Sequence, residues 1–158
     1  MELLYYPSPI LKTVCTPVKE PIPESITQEM ITIMKKHNGI GLSAIQVGIT
    51  QTFFVMFDGT VVVNPYYTVF HKPKKLMKEG CLSVPGFFDK VLRYEKIETC
   101  YYDAQLKEHT EEMEGLRAHV FQHEFDHGLG KMFTDHLTSA NRSLIRGNMQ
   151  KLKRQGKL

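Results

Sequence analysis

The stretch Gln122-His123-Glu124-Phe125-Asp126-His127 places two histidines four residues apart, with an acid directly after the first. Four residues make slightly more than one helical turn, so on a helix both imidazoles lie on one face and reach one metal ion. Glu124 then sits close enough to handle a proton of metal-bound water. Around this stretch, Leu116 to Gly128 reads as a helix with Leu116, Val120, His123 and His127 near one face, and Gly115 breaks the pattern that precedes it.

Moving outward, Ser139 to Gln155 reads as a C-terminal helix with Ile145, Met149 and Leu152 as its apolar stripe. Near the start, Tyr5 to Val18 is punctuated by proline and reads as extended or looped. Glu24 to His37 reads as the first helix: Pro23 suits its start, Ile26, Met30, Ile33, Met34 and His37 share a side, and Asn38-Gly39 stops it. The segment Gly39-Ile40-Gly41-Leu42-Ser43-Ala44-Ile45-Gln46 is turn-rich. Thr52 to Phe57 and Val61 to Val63 read as strands joined by an Asp58-Gly59 turn. Tyr66 to Phe70, Lys74 to Lys78, Arg93 to Tyr102 and Lys107 to Met113 are further strand segments. Strands in the middle and helices at the ends predict the α+β class. One domain over residues 1–158 is expected, with a basic C-terminal helix at about 139–155.

Composition narrows the function. With 158 residues, 42% apolar and 23% charged, the chain suits one soluble domain with its own core. It has no apolar run long enough to span a bilayer, and its N-terminus lacks the pattern of a secretory signal or a transit peptide. The three cysteines, Cys15, Cys81 and Cys100, are odd in number and far apart, so a disulfide framework is not expected and a reducing compartment, the cytoplasm, is. Charge is asymmetric: the first 135 residues carry 14 bases against 17 acids, and the 6 charged residues after Asp135 are all basic. A solvated basic helix end is the commoner meaning of such a tail; a contact with an anionic partner such as RNA is the functional one.

The third ligand decides the chemistry. Thermolysin-like enzymes take a glutamate from a later helix, but the last acid here is Asp135. The metzincin extension matches at Gly130 and fails at Phe133, with His136 three residues too late. The remaining candidate is Cys81, in Glu79-Gly80-Cys81-Leu82-Ser83-Val84-Pro85-Gly86. Thiolate is a good ligand for zinc and other first-row divalent ions. A lone cysteine is more often a small buried hydrophobe; the flanking Gly80 and Pro85-Gly86 favour a shaped loop. Cys15 and Cys100 lack such context and are assigned to packing.

Three motifs, Gly39 to Gln46, Glu79 to Ser83 and Gln122 to His127, occur in an order and spacing that resemble the peptide deformylases. Tyr6-Pro7, Leu11, Val18, Val91 to Arg93, Gly115-Leu116, Ala118, Phe133 and Asp135 extend the resemblance over nearly the whole chain. It implies a small α+β domain of mixed short sheets around the histidine helix. It implies hydrolysis of the formyl group from N-terminal formyl-methionine of nascent chains, with release of formate. The implied metal ligands are Cys81, His123 and His127, holding one divalent ion: ferrous iron natively, with zinc, nickel or cobalt as replacements.

The resemblance also assigns roles. Glu124 is the implied general base and acid, and the Gln46 amide and the Leu82 backbone N–H the donors to the oxyanion. Ile40 and Gly41 offer backbone groups to the peptide, and Leu116, His119 and Val120, with the ring of His123, form the methionine pocket. Asp126 and Arg93 are expected to pair and brace the helix. His119 stands where the family usually has an aliphatic residue, so a ring that only packs and a pocket of altered polarity are equal expectations. Phe87 and Phe88 occupy the loop after the cysteine motif, to stack on the peptide or close the core. Ser43, Ile45 and Gly128 also depart from the common pattern, and the helix is expected to end near Gly128. The formyl-methionyl peptide is the expected partner, with a weak ribosome contact through the basic tail, and neither DNA nor membrane.

Overall fold

The computed structural model describes residues 1–69 and 74–158. Helix α1 (Glu24–Lys36) is followed by β1 (Gly41–Ser43), β2 (Phe53–Met56), β3 (Val61–Thr68), β4 (Lys74–Cys81), β5 (Val84–Tyr94), β6 (Lys96–Tyr102) and β7 (Glu108–Glu114). Helices α2 (Gly115–Gly128) and α3 (Ser139–Arg154) complete the chain. The class is α+β, as expected. Five strands form one sheet in the order β1-β2-β3-β6-β7, and β4 and β5 form a separate hairpin; all these pairs are antiparallel.

Four boundaries differ from the sequence expectation. The turn-rich segment is in part an edge strand, β1, followed by a 3-10 turn at Ala44–Val47. Val61 to Val63 and the segment from Tyr66 are one strand: Asn64, at φ 48°, forms a bulge that carries β3 past Pro65. Its side chain bonds both the N–H and the C=O of Val18, at 2.9 and 2.8 Å. Phe70, at the end of the expected Tyr66 to Phe70 strand, lies outside the described residues. Arg93 to Tyr102 is split at Glu95, because Arg93 and Tyr94 pair with β4 whereas Lys96 onward pairs with β3 and β7. Residues 84–92, read as loop, are the body of β5, and Phe87 and Phe88 stand on that strand.

Three apolar clusters hold the elements. Met30 and Met34 of α1 meet Leu42, Val55 and Val63 on one side of the large sheet. Phe54, Met56, Ile97 and Met113 on its other side meet Val120 and Phe121 of α2. Val84 and Val91 of the hairpin meet Phe133 and, on α3, Ile145 and Met149. Helix α2 thus lies between the large sheet and the hairpin, and its residues from Ala118 to Gly128 are buried except Phe125. A helix enclosed on all sides must find partners for its polar side chains inside the protein. It ends at Gly128, as expected, in a Schellman closure: the Gly130 N–H bonds the His127 carbonyl at 3.0 Å and the Lys131 N–H that of Asp126 at 2.9 Å. Gly130, at φ 68°, is therefore the helix-stop glycine and not part of an extended metal motif.

Candidate metal centre

Strand β4 ends in Cys81 beside the middle of α2. One donor atom from each of Cys81, His123 and His127 lies within 4.8 Å of the other two. Nε2 of His127 is 3.3 Å from Nε2 of His123 and 3.4 Å from the Cys81 sulfur. The other nitrogen of His123, Nδ1, is 2.6 Å from Oε1 of Glu79. Burial alone would lower the His123 imidazole, but its contacts with Cys81 and Glu79 hold it well above the usual histidine range. With Nδ1–H given to Glu79, Nε2 is the nitrogen whose proton a bound cation would displace. A sulfur and two imidazole nitrogens turned on one point form a donor set that fits a divalent ion with thiolate and imidazole preference. Burial holds the His127 imidazole well below the usual histidine range, which keeps it neutral and able to ligate.

Glu79 was not singled out from the sequence, although it adjoins the cysteine motif. It is buried and accepts from Nε and Nη2 of Arg93 at 3.0 and 2.8 Å, and its Oε2 lies 2.8 Å from Nε2 of His119. Burial alone would push its carboxyl up; hydrogen bonds from His119, His123 and Arg93 overcome this and hold it well below the usual carboxylate range. Arg93 also donates to Oδ2 of Asp126 at 2.6 Å, the expected brace, and His136 lies 2.8 Å from the same oxygen. The motif-like His136 therefore serves α2 from outside the metal centre.

The 3-10 turn after β1 places Gln46. Ser43 and Gln46 form a capping box, in which Oε1 of Gln46 accepts the Ser43 N–H at 2.8 Å. This aims Nε2 at Ser83 Oγ, 3.1 Å away, and at the Cys81 sulfur, 3.3 Å away. The Ser43 backbone N–H, which any residue but proline supplies, fixes this amide.

Glu124 is buried beside the donors, and its Oε2 has no hydrogen-bond partner among the described residues. Burial pushes its carboxyl up to about 7, with the Glu79 charge adding to the rise and His123 opposing it. A carboxyl poised there can accept and return a proton near neutral pH. The backbone at Gly41 makes room for it: a Cβ on Gly41 would collide with Oε1 of Glu124 and come within 2.9 Å of Val120 Cγ1.

A cleft of about 560 Å³ opens over this group. Ile40, Gly41, Gln46, Leu82, His119 and Val120 line it, with Cys81, His123 and Glu124 at its floor. Leu116, expected in the same pocket, does not line it: it sits at the exposed start of α2, half exposed, a turn before Val120. Phe87 and Phe88 both line the cleft; strand alternation packs Phe87 against the third apolar cluster and leaves Phe88 63% exposed. Cys15 is buried and Cys100 half-buried, and neither belongs to the donor cluster.

An α+β domain whose H-E-x-x-H helix meets a cysteine at the floor of an open cleft defines a small metal-dependent hydrolase. Comparison with known proteins makes the class specific. The family model of polypeptide deformylase matches residues 1–143. The peptide deformylase of Alkalilimnicola ehrlichii is 36% identical over 167 residues, covering 100% of this chain and 93% of that protein. That of Pseudomonas aeruginosa is 35% identical over 164 residues, covering 98% and 97%. Among solved structures, a peptide deformylase from Legionella pneumophila superposes with a TM-score of 0.90 at 35% identity, covering 98% of this chain and 96% of that one. One from Plasmodium falciparum gives 0.87 at 31%, covering 99% and 97%. The chain belongs to the polypeptide deformylase family, enzymes that remove N-formyl groups from nascent peptides.

Proposed function

We propose that the chain hydrolyses the formyl group of N-terminal formyl-methionine with Cys81, His123 and His127 as metal ligands and Glu124 as the proton-transfer group. The observation that supports this most is the convergence of those three donors beside a buried Glu124 whose Oε2 has no hydrogen-bond partner among the described residues. When bound, a divalent ion polarises the carbonyl and lowers the pKa of water from about 16 toward about 7. Glu124 takes the proton of the attacking water at its carboxylate and returns it to the nitrogen of the leaving amine. The Gln46 Nε2–H and the Leu82 N–H hold the formyl oxygen as negative charge develops on it. Loss of one such donor typically costs roughly 100- to 1000-fold in rate. Ile40 and, at the start of edge strand β1, Gly41 offer backbone groups to the peptide, and His119 and Val120 receive the methionine side chain.

The mixed thiolate and imidazole set suits ferrous iron, proposed as the native ion, and equally accepts zinc, nickel or cobalt. Metal analysis of anaerobically prepared protein reads this directly. No helix among the described residues is long and apolar enough to cross a membrane. A cytoplasmic site of action follows from the nascent substrate. We extend the proposal to a weak ribosome contact through the exposed Arg146, Lys151, Lys153 and Arg154 of α3. Since Ile145 and Met149 are core residues, its test is charge reversal at Lys151 and Arg154 and not truncation; unchanged ribosome co-sedimentation at low salt overturns it. The decisive test of the activity is formate release from formyl-Met-Ala-Ser. Turnover lost in Glu124→Ala with metal content kept is the expected result. Turnover retained in that variant would remove Glu124 from the mechanism.

A further inference from the structure

The hairpin of β4 and β5 carries an outer face that the chemistry above does not use. Its register pairs Lys74 with Tyr94, Leu76 with Leu92, Lys78 with Lys90 and Gly80 with Phe88. Leu76, Lys78, Phe88, Lys90 and Leu92 are exposed, while Glu79, Val91 and Arg93 point inward and are buried. Among the described residues the outer face thus holds three lysines and no acid. Lys78 and Lys90 stand directly opposite one another, an arrangement that is unfavourable across a strand pair unless an anion lies between them.

This face runs into the cleft. Gly80 leaves its position empty, and the Phe88 ring lies across it: a Cβ there would be 2.6 Å from two ring carbons. The Lys78 ammonium sits 5.0 Å from the centroid of that ring. Lys78 and Phe88 both line the cleft. The acids that line it, Glu79 and Glu124, are buried at its floor, and Glu79 is fully engaged by Arg93, His119 and His123. The rim charge that a bound peptide meets is therefore positive.

We propose that Lys78, supported by Lys90, is a specificity determinant that favours formylated chains with aspartate or glutamate at the second or third residue. The inference rests on the deformylase reading above and adds the class of peptide preferred. A peptide is favoured over RNA because the face is continuous with the cleft and, among the described residues, offers three ammonium groups interleaved with leucines. Salt-sensitive nucleic-acid sites typically make roughly 6–10 phosphate contacts.

The test compares kcat/KM of the metal-reconstituted protein on formyl-Met-Ala-Ser, formyl-Met-Asp-Ser and formyl-Met-Lys-Ser. The aspartyl peptide is expected to exceed the lysyl one by about 3- to 10-fold at low ionic strength, as one attraction and one repulsion at a surface site allow. The difference should lie in KM, since the charge is remote from the reacting atoms, and should shrink in 0.5 M salt on the order of the Debye screening. Lys78→Glu should reverse the order, and Lys75→Gln, which faces away and pairs with Glu95, should keep it. An order that is flat, or that Lys78→Glu leaves unchanged, overturns the inference while turnover of the alanyl peptide leaves the deformylase reading standing. Absence of turnover on all three peptides sinks both. A variant that alters only retention on an RNA homopolymer, with the peptide order intact, also overturns it.

Discussion

Glu79 and His123 meet at 2.6 Å, Oε1 to Nδ1, across the join between a hairpin strand and the metal-centre helix. The same carboxylate engages Arg93 and His119. One buried acid thereby orients His123, a proposed metal ligand, and ties hairpin to helix. Glu79→Gln should weaken metal affinity by about 10- to 100-fold, measured by competition with a chromophoric chelator. Affinity within twofold of the parent would mean that His123 is oriented by packing alone.

Arg93 links Glu79 to Asp126 from a buried position. Arg93→Leu strands two buried carboxylates, and breaking such a pair costs about 3–5 kcal/mol. Chemical denaturation should show that loss, whereas an unchanged midpoint would mean that water replaces the guanidinium.

Gly41→Ala places a methyl group against Glu124 and Val120. The carboxylate must move, so kcat should fall at least tenfold, as displacement of a proton-transfer group by about 1 Å commonly does. Thermal unfolding should shift by only a few degrees. A large loss of stability with unchanged kcat would contradict this account.

Metal removal should destabilise the fold, because an ion bound to the native donors adds RT ln(1 + [L]/Kd), about 4 kcal/mol at 1,000 times Kd. Chelation should lower the Tm, and readdition of divalent iron or zinc should restore it. In Cys81→Ser the metal-dependent part of the Tm should be largely lost; full restoration there would exclude the sulfur as a ligand.

Asp135 pairs with Lys12 and accepts the Met132 N–H at 2.8 Å. Burial would raise its carboxyl, but Lys12 and that N–H bring it below the usual value. The stability it contributes is present above the unfolded pKa of about 3.9 and lost as pH falls through the lower folded value. Partial exposure limits it to about 0.5 kcal/mol. Asp135→Asn should therefore melt slightly below the parent at pH 6, and the gap should close near pH 3. A gap that stays constant with pH would assign the effect to the cap's geometry.

Cys81 was reached by elimination of other third ligands and by its flanking Gly80 and Pro85-Gly86. The two histidines and Glu124 were legible because their meaning lies in residue type and helical spacing, both local properties. The helices were legible for the same reason, as was the Asp58-Gly59 turn between β2 and β3. The hairpin was not. Residues 84–94 show clear alternation once the strand is known, but Pro85-Gly86 reads locally as a loop, and only pairing with β4 overrides that. The split at Glu95 is invisible to periodicity because both sides have strand character and differ only in the sheet they join.

What the chain alone determined is therefore the set of donors and the class of fold, since periodicity and ligand spacing act over a few residues. What only tertiary packing decided is which groups surround those donors. Glu79 became the orienting acid, the Gln46 amide was brought to Cys81 and Ser83, His136 was drawn to Asp126 and Leu116 was left outside the cleft. Those outcomes depend on contacts between residues far apart in the chain, where burial turns an ordinary polar side chain into one that must find a specific partner.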